Sequence, residues 1–165
     1  MKRIMILFVI VGFACISLAD DSSFKDNILK RHNYYRQKHG VDALTWNEEV
    51  AAYARQWAET LASQNAMRHR GQNRYGENIY YKSGGSFDAD MPVDAWYAEV
   101  KDYNFNRQGF SYKTGHFTQV VWKGSTELGC GMARSSSGAV YVVCNYSPPG
   151  NYMGRFDKNV LPPVK

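Results

Sequence analysis

GHFTQVVWKGSTELGCGMARSSSGAVYVVCNYSPPGNY, residues 115–152, decides how this chain folds. A histidine opens it, an aromatic and β-branched run follows, and from Leu128 the apolar residues take a period of two. Residues 129–134 and 139–146 therefore predict two strands, and Ser135, Ser136, Ser137 and Gly138 between them have the composition of a hairpin turn. Pro148, Pro149 and Gly150 stop the second strand. Cys130 and Cys144 fall inside the two strands.

Upstream, the period changes to that of helices. Phe24, Ile28, Leu29, His32 and Tyr35 share one face of a segment that ends at Gly40. Val50, Ala54, Trp57 and Leu61 form a clearer stripe over residues 47–64, with Glu48 and Glu49 near the positive end of the helix dipole. Residues 65–78 are polar and punctuated by glycine, so they predict a loop. Ile79, Tyr80 and Tyr81 suit a short strand ahead of the Ser83–Gly84–Gly85–Ser86 turn. Pro92 opens a third helix that passes through Trp96, Tyr97 and Val100 to about residue 102, and the tail with Pro162 and Pro163 reads as extended. No repeat or low-complexity tract interrupts the pattern. The expectation is one mixed α/β domain whose helices cover a small, mainly antiparallel sheet.

The first 19 residues have the layout of an export signal. Lys2 and Arg3 precede an apolar run from Ile4 to Leu18, and Ser17-Leu18-Ala19 offers a small-x-small cleavage site. That run is short against the roughly 20 residues a spanning helix needs, and no second one follows, so no transmembrane segment is expected after cleavage. Lys2 also leaves no glycine for N-myristoylation. Removing residues 1–19 takes away two of the 20 Lys+Arg and none of the 15 Asp+Glu, so the net charge falls from +5 to +3. No run of more than two basic residues occurs, which leaves nucleic acid without a footprint and allows a weak attraction to an anionic membrane surface. Cys15 departs with the signal. The remaining pair is even in number and destined for an oxidising compartment, where a disulfide is the expected state and two buried thiols the other reading.

The motifs GHFTQVVW (115–122) and YVVCNYSPPGNY (141–152) resemble the two signatures of the CAP superfamily, the cysteine-rich secretory, antigen-5 and pathogenesis-related proteins that share the SCP domain. His32-Asn33 with Arg36, and Gly76-Glu77-Asn78, fit the same family, and the similarity spans residues 24–160. The resemblance implies a three-layer α-β-α sandwich over residues 20–165. It implies that Cys130 and Cys144 are the disulfide that links the two motifs. It also implies a cleft tetrad of His69, Glu77, Glu99 and His116, ligand types suited to Zn²⁺ or another divalent metal.

Nothing local in the sequence, such as HExxH, demands that metal. Arg70 follows His69 where many relatives carry serine, so residues 68–75 offer no Ser/His/Glu triad. Arg68, Arg70 and Arg74 make the loop basic instead. Tyr103, Phe105, Phe110 and Tyr112 have the aromatic spacing of a loop implicated in sterol binding among relatives; the other reading is that they are anchors that pin an irregular loop to the core. The implied function is a secreted, non-enzymatic domain, a monomer or weak homodimer, that binds a sterol, fatty acid or anionic lipid surface. The alternatives are a metal-dependent hydrolase using Glu77 or Glu99 as general base, and an extracellular protein-interaction scaffold. Asn145-Tyr146-Ser147 matches a glycosylation sequon but lies within a predicted strand and is expected to be unmodified.

Overall fold

The structure is a computed structural model that describes residues 18–164. Residues 1–17 of the expected export signal lie outside the described residues. The elements are α1 (Leu18–Lys38), β1 (Thr45–Trp46), α2 (Glu48–Gln64), β2 (Gly76–Lys82), α3 (Asp90–Tyr97), a 3₁₀ turn (Ala98–Asp102), α4 (Gly115–Val120), β3 (Glu127–Arg134), β4 (Val140–Ser147) and α5 (Phe156–Asn159).

The hairpin read from the period-two pattern forms the centre of the sheet, whose order is β1-β3-β4-β2. The β3–β4 and β4–β2 pairs are antiparallel, and only the two-residue β1 runs parallel to β3. Ser135 N donates to Ala139 O and Gly138, at φ +82°, donates back to Ser135 O, which closes the turn. Cys130 lies directly opposite Cys144, with Cα atoms 4.1 Å apart, and the two are disulfide-bonded.

β4 is buried on both faces, and its alternation separates two cores. Val140, Val142, Cys144 and Tyr146 pack with Leu128 and Cys130 against Ile28, Trp96 and Phe117 of α1, α3 and α4. Tyr141 and Val143 face the other way, onto Ala54, Ala58 and Leu61 of α2. The sheet is thus the middle of three layers, as the family resemblance implied. Each large apolar side chain fully withdrawn from water contributes about 1.5–3 kcal/mol.

α2 starts where the acidic pair suggested. Asn47 Oδ1 accepts from Glu49 N at 2.9 Å and Val50 N at 3.2 Å, satisfying donors that would otherwise be orphaned. It lies unusually close to β3. A Cβ on Gly129 would sit 2.1 Å from Ala51 N, and one on Gly131 would sit 2.2 Å from Arg55 Cα. The two glycines flanking Cys130 therefore exist on the α2 face to admit a helix backbone, while the cysteine points to the opposite core.

Candidate functional site

Two of the family-like motifs turn out to be joinery. Asn33 Oδ1 accepts from Leu44 N at 2.7 Å and its Nδ2 donates to Leu44 O, so it fixes the segment that follows α1. Arg36 is buried, and its guanidinium donates to the carbonyls of Asp42, Val120, Trp122 and Ser125. Burial lowers its pKa to about 10, outweighing the raising effects of Tyr146 and Asp42. It binds α1 to the chain leaving α4.

His32 is fully buried. Its Nδ1 lies 2.7 Å from Ile28 O, a group that can only accept, so Nδ1 carries the proton and Nε2 is an acceptor. Tyr146 Oη at 2.8 Å must then donate to Nε2, and it accepts in turn from Asn78 Nδ2. Asn78 Nδ2 also donates to His116 O at 3.1 Å. Desolvation pushes the His32 pKa down to about 4, which keeps this chain of fixed polarity neutral in charge.

The four sequence-predicted cleft residues form two pairs. His69 Nδ1 is 2.8 Å from Glu77 Oε1. That oxygen also accepts from Arg70 N, and Oε2 accepts from Asn73 Nδ2, so one carboxylate, only 4% exposed, organises the polar loop against β2. The hydrogen bond to Glu77 raises the His69 pKa. His116 Nδ1 is 2.7 Å from Glu99 Oε1, while Glu99 Oε2 accepts from the backbone N of His116 and Phe117. Glu99, in the 3₁₀ turn, therefore ties α4 to the end of α3 and orients the ring, which stacks on Trp96.

All four carboxylate oxygens already accept at least one hydrogen bond. Each imidazole has Nδ1 occupied and Nε2 unassigned, an arrangement that suits a cation ligand. The donor types fit a divalent metal, yet among the described residues no three His, Cys, Asp or Glu side chains come together as a group that could hold one.

Gly76, Glu77 and Asn78 each have a separate task. Gly76 admits Gln119, whose Oε1 would lie 2.1 Å from an added Cβ; Glu77 holds the loop; Asn78 reaches His116.

The expected lipid loop also divides. Tyr103 is 9% exposed, and Phe105 packs with it on Phe117 and His39. Phe110 is 41% and Tyr112 92% exposed, and their rings meet edge to face at 5.3 Å. A Cβ on Gly115 would lie 3.2 Å from the Phe110 ring, which places the pair beside the first residue of α4. Asn145 is buried, with Nδ2 donating to Gly76 O, so its amide is closed to glycosylation in the folded protein.

With the sandwich, the hairpin disulfide and the paired histidines in place, the comparison with known families is decisive. Residues 29–146 match CAP, the cysteine-rich secretory protein family. The chain belongs to the CAP family. Human Golgi-associated plant pathogenesis-related protein 1 is 43% identical over 149 residues, covering 86% of this CAP chain and 95% of that protein. The pathogenesis-related protein PR-1 type of Sambucus nigra is 38% identical over 151 residues, 90% of each chain. The crystal structure of NaASP2 with Zn²⁺ superposes with a TM-score of 0.67 at 24% identity over 87% of each chain, a likeness of fold.

One group of side chains joins residues that no sequence motif links. Trp57, read as part of a core stripe, is half-buried and carries the guanidiniums of Arg68 and Arg70 on its ring. The clue was the run Arg68, Arg70, Arg74 opposite Tyr53 and Trp57 at helical spacing.

Proposed function

We propose that this CAP domain is exported and binds a sterol, fatty acid or lipid surface through Phe110 and Tyr112. One observation carries the reading: in a loop whose other two aromatics are anchored in the core, these two rings meet edge to face while exposed to solvent. Apolar surface kept in water beside a polar rim marks a contact site. Tyr112 suits a lipid–water boundary, having an apolar ring and a polar tip. Export is supported by the signal-like residues 1–19, by the Cys130–Cys144 disulfide and by the family's description as secretory. The mature protein is then residues 20–165, a single domain.

The test is uptake of a fluorescent sterol and a fluorescent fatty acid by the wild type, Phe110→Ala, Tyr112→Ala and Phe105→Ala. Loss of either exposed ring weakens binding by about tenfold, equivalent to about 1.4 kcal/mol of lost apolar contact, with little change in melting. Phe105→Ala lowers stability first. Equal uptake by all four would sink the proposal.

A second reading concerns the histidine pairs. Reversible binding of Zn²⁺ or another divalent cation at the Nε2 atoms of His69 and His116 is favoured by the carboxylate that holds Nδ1 in both pairs, the arrangement that aims an imidazole at a metal. Such binding weakens as pH falls, because a protonated ring is no ligand. Zinc titration by calorimetry should give heat that disappears in His69→Ala and His116→Ala; heat unchanged in both variants removes the reading.

A further inference from the structure

Three arginines lie over aromatic rings along α2 and the loop that follows it. Arg68 sits over Trp57 at 5.1 Å; Arg70 sits over Tyr53 at 3.7 Å and Trp57 at 5.2 Å; Arg74 sits over Tyr53 at 5.2 Å and Tyr75 at 4.8 Å. Tyr53 and Trp57 are four residues apart on one helix, so the rings stand one turn above each other and the guanidiniums form a line. Hydrogen bonds hold the line in place. Trp57 Nε1 donates to Arg68 O, Arg70 donates to Tyr53 O, and Arg68 donates to Gln64 Oε1. Arg74 pairs with Glu49, and among the described residues Arg68 and Arg70 have no ion pair.

We infer that this strip is a docking site for a sulfated polysaccharide chain, an occupant whose class rests on the export proposed above. The rings and these hydrogen bonds hold the guanidiniums in advance, so binding loses little side-chain freedom; Arg68 and Arg74 are exposed and offer their remaining N–H groups to sulfate or carboxylate oxygens, while Arg70, its Nη2 held by Tyr53 O and Gln56 Oε1, adds charge. The form of the strip selects a narrow, linear partner. Glu48 and Glu59 are exposed on the same helix, where a flat anionic bilayer would meet them, whereas a chain one sugar wide follows the arginines. The arginines lie over these rings, where nucleic-acid bases would otherwise stack.

The experiment uses the purified full chain and heparin as the probe, with affinity measured across a salt series. Arg68→Gln/Arg74→Gln leaves Arg70 to hold the loop. Lys123→Gln/Lys158→Gln, two exposed lysines elsewhere, changes net charge equally. The expected result is a loss of about tenfold or more for the arginine variant, a slope of log affinity against log salt shallower by about two, and a lysine variant within about twofold of wild type. Melting curves establish that both variants are folded. An arginine variant that binds as wild type, or a lysine variant that loses as much, overturns the inference. So does tighter arginine-dependent binding to single-stranded DNA or to phosphatidylserine vesicles. Failure of export would appear in cell fractionation and not in this binding, so the two proposals fail separately.

Discussion

Acidification from pH 7.5 to 5 should destabilise this fold through His32 before the bulk of its carboxylates titrate. In the folded chain His32 is buried and donates Nδ1–H to Ile28 O, and its pKa lies near 4 instead of the usual 6.5. A folded pKa below the unfolded one means that the unfolded state takes up the proton first. Stability is therefore full above about pH 6.5 and lost as pH falls towards 4. The difference between the usual 6.5 and about 4 is worth about 3 kcal/mol in total, of which about 2 kcal/mol is lost by pH 5. His39, whose pKa is also lowered by burial, adds to the loss. His69, raised by Glu77, opposes it: its contribution is present below pH 6.5 and fades as pH rises, and it is small because the ring is 65% exposed. Urea unfolding at half-unit pH steps gives the slope, and ¹⁵N shifts of the His32 ring give its protonation. The expected slope between pH 6 and 5 corresponds to one to two protons taken up on unfolding. A flat profile, or a His32 ring that protonates near pH 6.5 in the folded protein, would refute the reasoning.

Three other outcomes follow from the packing. Gly129→Ala places a methyl 2.1 Å from Ala51 N, backbone that cannot yield, and should cost at least about 3 kcal/mol or prevent folding, as denaturant melts will reveal. Replacing both Cys130 and Cys144 with alanine opens a 14-residue separation and should lower stability by about 3 kcal/mol, with a matching loss when the wild type is reduced. Glu99→Gln keeps an acceptor for the α4 amides but deprives His116 Nδ1–H of its carboxylate. A loss of about 1–2 kcal/mol and a changed His116 tautomer in NMR are expected, against no change if the pair is incidental.

Much of this architecture was readable before the fold. The hairpin declared itself because two short runs of strand-forming residues are separated by a Ser/Gly turn, and α2 because its stripe and its cap agree. β1 was not readable, since two residues carry no period and their pairing with β3 is a long-range event. The close approach of α2 explains Gly129 and Gly131, but a glycine in a strand does not name its neighbour. The division of the four cleft residues into His69–Glu77 and His116–Glu99 was equally hidden, because it depends on which loop each carboxylate restrains. In the aromatic loop, residue type placed Tyr103, Phe105, Phe110 and Tyr112 together, and only packing tells the two anchors from the two rings left in water.

Native mass spectrometry of the protein made by expressing cells tests the central claim most directly. In the medium, a chain beginning at residue 20 is expected, with one disulfide and a lipid-sized adduct that disappears from Phe110→Ala/Tyr112→Ala. A full-length chain retained in the cells, or an adduct that survives loss of both rings, would contradict it.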